Sequence, residues 1–192
     1  MKTILRGMKI GAAIITCNRP EMFKVCLESI PMHKLHRFII VDDSVDKTHI
    51  EYEPHSSIHT HGKGVAFAKN AAFNYLFNEE KCDYVFLIED DMRIINADIF
   101  DAYIAASKLT GIEHFLFGYH GPANKAGISG GDPVPRIVID YPGGLKIALN
   151  QHCVGAFCMY TKSAFDVVGL FDTTFHNVWE HVEHSLRLVK NK

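Results

Sequence analysis

Three consecutive carboxylates, Glu89-Asp90-Asp91, close the apolar run Tyr84-Val85-Phe86-Leu87-Ile88. Acids crowded in a partly dry setting repel one another by on the order of several kcal/mol unless they find a partner. A hard divalent cation such as Mg²⁺ or Mn²⁺ takes oxygen ligands and is the simplest partner. The bland alternative is a solvated acidic loop behind a strand. The pattern recurs: Phe38-Ile39-Ile40-Val41 runs into Asp42-Asp43-Ser44, and the apolar run from Lys9 ends in Thr16-Cys17-Asn18. Near the C-terminus, Glu180, His181, Glu183 and His184 form a further group able to move a proton or hold a metal.

These residues must be positioned by the elements around them. The apolar, β-branched and aromatic runs at Lys9–Thr16, Phe38–Val41, Tyr84–Ile88 and Phe115–Tyr119 read as strands buried on both faces. Between them lie helical patterns. The first starts at Pro20, well placed for a first helical turn, and is followed by Pro31. The second opens at Gly62-Lys63-Gly64 and runs to about Asn78, and the third starts near Asn96 or Asp98 and ends at Gly111. Strand and helix in alternation predict an α/β fold with a mostly parallel sheet and helices on both faces. Ligands of such sheets bind outside the carboxyl ends of the strands, where the three polar strand ends converge. The stretch Val45–His61 is polar and weakly patterned.

Beyond His120 the pattern changes. Gly121–Pro135 reads as a loop, and Arg136–Asn150 reads as a β-hairpin about Pro142-Gly143-Gly144. Val154–Tyr160 reads as a strand, Thr161–Val168 as a short helix closed by Gly169, and a last helix begins near Val178. In that helix Trp179, Val182, Leu186 and Val189 share one face, while Glu180, Glu183, His184 and Arg187 share the other. The plain expectation is an amphipathic helix with a solvated polar face.

The chain has 192 residues, is 47% hydrophobic and carries a formal net charge of −2. That suits a folded chain with a real core and gives no basic face for nucleic acid. Its five cysteines, an odd number without a Cys-x-x-Cys pair, argue against a disulfide framework or a structural zinc site. No signal-peptide pattern and no run of about 18 apolar residues appears, so a cytoplasmic location without a transmembrane segment is the default expectation.

Taken together the motifs resemble the nucleotide-sugar-dependent glycosyltransferases of the family 2 type, with the GT-A fold. The resemblance rests on Thr16-Cys17-Asn18-Arg19-Pro20 after the first strand and Val41-Asp42-Asp43-Ser44-Val45-Asp46 after the second. It rests further on Gly64-Val65-Ala66-Phe67-Ala68-Lys69-Asn70, Glu89-Asp90-Asp91 at the place of an Asp-x-Asp motif, and Val168-Gly169-Leu170-Phe171-Asp172 followed by Trp179-Glu180-His181-Val182-Glu183. It implies one GT-A-type unit over residues 1–192, with a nucleotide-binding half at 1–119 and an acceptor and catalytic half at 120–192. Thr16 and Asp43 would hold the base, most often uracil, with Asn18 near base or ribose. Arg19 would sit in the donor site, Lys69 would face the nucleotide or its phosphates, and Asp90 would contact the ribose. Asp91, with Glu89 as a second candidate ligand, would hold Mn²⁺ or Mg²⁺ on the diphosphate. The implied partners are a UDP-sugar donor and a glycan or other hydroxyl acceptor, with inversion at the sugar carbon.

The chain departs from the family pattern at His181, where an aspartate base is usual. Glu180 and His181 are therefore joint base candidates, and His184 is a candidate extra metal ligand. Glutamate at 89 is one methylene longer than aspartate and could reach water or a lysine instead of metal. Family members usually continue past the point where this chain stops, so it reads as a minimal core or part of a longer protein, with 121–144 the candidate acceptor region. A nucleotidyltransferase would carry glycines after the first strand, where Cys17-Asn18-Arg19-Pro20 has none. A zinc deaminase would follow His181-Val182-Glu183 with Pro-Cys-x-x-Cys, which is absent. The non-enzymatic alternative is a nucleotide-sugar-binding or scaffold domain.

Overall fold

The computed structural model describes residues 7–46, 54–118, 135–150 and 153–191. Strands β1 (Ile10–Thr16), β2 (Arg37–Asp42), β3 (Ser57–His59), β4 (Tyr84–Glu89), β5 (His114–Gly118) and β8 (Cys153–Thr161) form a six-stranded sheet in the order β3-β2-β1-β4-β8-β5. The pairs β1–β2, β1–β4 and β2–β3 are parallel, while β8 runs antiparallel to both β4 and β5. Strands β6 (Ile137–Asp140) and β7 (Lys146–Leu149) make the separate antiparallel hairpin expected from the sequence. Of the loop expected at Gly121–Pro135, residues 121–134 lie outside the described residues.

Alternation along the strands divides the core between the two faces of the sheet. Ala12 and Ile14 of β1, with Phe86 and Ile88 of β4, face helices α1 (Pro20–Ser29) and α3 (Ile99–Thr110) through Phe23, Cys26, Phe100 and Ile104. Ala13 and Ile15, with Val85 and Leu87, face α2 (Val65–Phe73), α4 (Lys162–Val168) and α5 (Glu180–Lys190). The helix boundaries follow their local chemistry. Pro20 opens α1, Gly111 ends α3 in the left-handed region (φ 73°), and the Thr161 hydroxyl accepts from Ala164 N at the start of α4. The second helix passes at Asn74 into a π-helical segment, Asn74–Glu79, so its α-helical part is shorter than the sequence predicts. The edge strand β3, within the stretch that looked patternless, is too short at three residues to carry a period.

The last helix is oriented opposite to the plain expectation. Glu180, His184 and Leu188 are its buried residues. Leu186 and Val189 are exposed, as is Trp179, which precedes the helix at a positive φ of 71°. The polar side turns inward because partners wait there. Arg187 donates to the Val168 and Leu170 carbonyl oxygens (2.6 and 2.7 Å) and to Glu183 Oε1 (2.6 Å), which satisfies carbonyls left open behind α4. His184 donates from Nε2 to the Gly169 carbonyl (2.9 Å) and stacks on Phe171 at 4.1 Å between ring centres. This corrects the expectation of His184 as a metal ligand: its ring is wholly buried against Phe73, Tyr160 and Phe171 in the core and does not line the cleft.

Burial, helped by the charge of Arg187, holds the His184 imidazole down to about 4 against the pull of the Gly169 carbonyl. Burial likewise holds His114 down to about 3, although the Met159 carbonyl favours its charged form. A histidine with a lowered pKa in the fold is protonated first in the unfolded chain, so stability falls as pH drops below about 6.5.

Two outcomes are expected. Phe73 contacts the rings of Phe77, Tyr160, Phe165, Phe171 and His184, so Phe73→Ala should cost about 3–5 kcal/mol in urea unfolding. The unfolding midpoint should fall from pH 6.5 to 4, and His184→Gln should flatten that slope by on the order of 3 kcal/mol, the worth of the gap between 6.5 and about 4.

Candidate active site

A cleft of about 1130 Å³ opens at the carboxyl ends of β1, β2 and β4. Thr16, Arg19, Asp43, Glu89 and Asp91 line one side, and Val154–Ala156 of β8 with Asn177–Val182 line another. The antiparallel course of β8 brings the second group here. Its last pair with β4 is Phe157 with Ile88, so Gly155 falls beside the turn that carries the three acids.

The three acids have separate environments. Asp90 points into the protein and is 1% exposed. It accepts from the Thr16 hydroxyl (2.7 Å) and pairs with Arg19 Nη2 (2.6 Å). Burial raises its pKa in spite of both partners. Glu89 turns to Lys69 Nζ at 2.7 Å. Asp91 faces the cleft with its side chain 44% exposed and one long contact, 3.5 Å to Arg19 Nη1.

Lys69 departs most from its expected place. Its side chain is wholly buried, and its ammonium donates to Glu89 Oε1 (2.7 Å), Glu180 Oε1 (2.8 Å) and the Gly155 carbonyl (3.3 Å). Those bonds use all three ammonium hydrogens, so the expectation that Lys69 faces the phosphates is corrected: it has no donor left for them. Burial alone would lower its pKa, but the charges of Glu89 and Glu180 outweigh burial and raise it. Burial alone would raise Glu180. The hydrogen bond from His181 and the charge of Lys69 instead hold its carboxyl down to about 2.

Asp43 lines the cleft, but its carboxylate is already occupied. Oδ1 accepts from the Thr60 hydroxyl (2.5 Å) and Lys63 N (2.9 Å), and Oδ2 accepts from Gly64 N (2.8 Å). It thus ties the end of β2 to the start of α2. Thr16 likewise spends its hydroxyl on Asp90. Asn18 is exposed at φ 53° and donates its backbone N–H to Ser44 Oγ (2.9 Å), and it is not part of the cleft lining.

Two glycines let the far side close in. Gly64 sits at φ 98°, and a Cβ there would lie 2.4 Å from His176 Nδ1. Val65 N also donates to His176 O (2.8 Å), so the segment before α5 rests on the start of α2. At Gly155 a Cβ would lie 2.8 Å from His181 Cγ, so only glycine lets His181 seat against β8. Gly155 is absent from the residues expected from the sequence, although a glycine inside an apolar strand is a sign of close approach.

Among the described residues, no group of three His, Cys, Asp or Glu side chains converges as a metal cage. Asp91 does present a carboxylate into the cleft. That fits a Mg²⁺- or Mn²⁺-type site in which one carboxylate is completed by phosphate oxygens and water. Also among the described residues, no helix is long and apolar enough to cross a membrane.

No family model matches the chain, and no curated protein matches it either. Solved structures do. TarS of S. aureus, residues 1–349, aligns over 96% of this chain and 56% of its own, at 15% identity and a TM-score of 0.58. The mannosyltransferase PcManGT of Pyrobaculum calidifontis, in complex with GDP-Man and Mn²⁺, aligns over 86% and 48%, at 12% identity and 0.54. Glucosyl-3-phosphoglycerate synthase of Mycobacterium tuberculosis, in complex with Mn²⁺, UDP and phosphoglyceric acid, aligns over 85% and 59%, at 15% identity and 0.52. Nucleotidyl-transfer proteins are among the other matches. The chain thus spans about half the length of these glycosyltransferase structures. The sheet order, the reversed β8 and these likenesses together identify the fold as the GT-A type.

Proposed function

We propose that the chain transfers a sugar from a nucleoside-diphosphate sugar to a hydroxyl acceptor, with a divalent cation on the diphosphate. The observation that carries this reading is Asp91, the most exposed acid of its trio, which lines the cleft with only a long contact to Arg19 at the carboxyl edge of the sheet. Two structural neighbours were solved with Mn²⁺ and a guanine or uracil nucleotide, which supports a donor of this class. UDP is the first nucleotide to test, and inversion is the stereochemical outcome the motif resemblance implies.

Breaking a sugar–diphosphate bond leaves negative charge on the departing oxygens, and a bound cation stabilises that charge as a Lewis acid. Asp91 would hold the cation. Arg19 adds a fixed positive charge beside it, and its pairing with Asp90 orients the guanidinium. Glu89 contributes through Lys69 instead of through the metal. The β8 and α5 side of the cleft receives the acceptor hydroxyl.

A nucleotide-sugar-binding domain without turnover is the second reading. The observation favouring it is Glu180, held as an ion pair and a poor proton acceptor at about 2. Release of UDP from UDP-sugars with Mn²⁺ separates the two readings.

The binding claim has its own test. Asp91→Ala should keep the wild-type melting temperature without ligand, because the side chain is half exposed. It should weaken Mn²⁺-dependent UDP binding by about 100-fold or more in calorimetry, at least the loss seen when support for a metal is removed. Unchanged Mn²⁺-dependent affinity would remove Asp91 from the site. Absence of binding to UDP, GDP and CDP alike by the wild type would overturn the donor reading.

A further inference from the structure

The structure assigns the two base candidates different roles. We propose that His181 accepts the acceptor's proton through Nε2, and that Lys69 and Glu180 are positioning residues that hold it in the tautomer this requires. The assignment rests on the donor reading above for its substrate, and on the geometry of the buried group for its roles.

His181 Nδ1 lies 3.3 Å from Glu180 Oε1. An ionised carboxylate only accepts hydrogen bonds, so Nδ1 carries the proton and Nε2 keeps its lone pair. The side chain of His181 is 20% exposed and lines the cleft, and among the described residues Nε2 has no hydrogen-bond partner. Glu180 is the reverse case. It is 3% exposed, and the same Oε1 that accepts from His181 accepts from Lys69 Nζ at 2.8 Å. Protonating Glu180 would leave a buried ammonium with half its counter-charge, a costly state. Glu180 therefore remains a carboxylate while His181 cycles.

Lys69 completes the device. It ties Glu180 at the start of α5 to Glu89 at the end of β4, and its third hydrogen goes to the carbonyl of Gly155. Gly155 is also the residue against which the His181 ring packs. One buried cation thus fixes the carboxylate that sets the tautomer and the strand that sets the ring's position. In the transfer step the acceptor O–H bond breaks and its proton moves to Nε2. The acceptor oxygen bonds to the sugar carbon, and the diphosphate leaves with the electron pair of the broken C–O bond. The imidazolium then returns its proton to water.

The test has two arms, both on the full chain. In ¹⁵N-histidine-labelled protein above neutral pH, with His181→Ala used to assign the signals, His181 should show a protonated Nδ1 and a bare Nε2. Glu180→Gln and, if it folds, Lys69→Met should shift it toward the Nε2–H form that free imidazole side chains prefer. An Nε2–H form in the wild type, or a tautomer indifferent to Glu180→Gln, overturns the positioning role. In the second arm, UDP release from UDP-glucose and UDP-N-acetylglucosamine is followed with Mn²⁺ and water as acceptor. His181→Ala should lower kcat by about 100-fold or more with UDP affinity within about twofold, and added imidazole should restore part of the rate. An unchanged kcat, or a loss carried by UDP affinity with no response to imidazole, overturns the base role. Failure of the donor reading would appear separately, as a chain that binds no nucleotide while keeping the predicted tautomer.

Discussion

The site depends on a charge that water does not reach. Lys69 is fully buried, and an ammonium taken out of water costs several kcal/mol unless it is paired and fully hydrogen-bonded. Its partners come from three separate places: Glu89 at the end of β4, Glu180 at the start of α5, and the carbonyl of Gly155 in β8. The fold can satisfy the cation only by bringing those elements together, and doing so builds one wall of the cleft. Removing any one partner would leave a buried ammonium hydrogen without its acceptor, so these positions stand or fall as a group.

The same logic explains why α5 is turned as it is. Beneath the ion pair lies a ring cluster of Phe73, Phe165, Phe171 and Tyr160, and His184 joins it as a neutral aromatic surface. Arg187 serves the carbonyls behind α4 at the far end of the helix. Glu180, Glu183, His184 and Arg187 each have at least one partner, although Glu183 Oε2 and His184 Nδ1 are buried without one, while Leu186 and Val189 remain outside. Polar satisfaction has outweighed apolar burial along this helix: an exposed Leu or Val is commonplace, but a buried ammonium without a counter-charge is not tolerated.

Much of this was legible in the residue order. The runs ending at Thr16, Asp42 and Glu89 became central parallel strands, and their polar ends do meet at one edge, because short β-branched runs between helical patterns leave few other arrangements. The hairpin, the Gly111 stop and the placement of Asp91 in the cleft also followed from local chemistry. The orientation of α5 did not, since hydrophobic periodicity assumes that the apolar face is the buried one and cannot see Lys69 more than a hundred residues away. The divergence of Glu89, Asp90 and Asp91 was hidden for the same reason. Asp90 turns inward because Thr16 and Arg19 meet it there, and Glu89 turns because Lys69 does. Such pairings belong to the tertiary structure, not to the spacing of residues along the chain.

The most direct test of this account is a crystal structure of the chain with Mn²⁺ and UDP. The account predicts the metal on the Asp91 carboxylate and the diphosphate, Glu89 and Glu180 still bonded to Lys69, and His184 still stacked in the core. A metal held by Glu89 or His184, with Lys69 released to the phosphates, would contradict it.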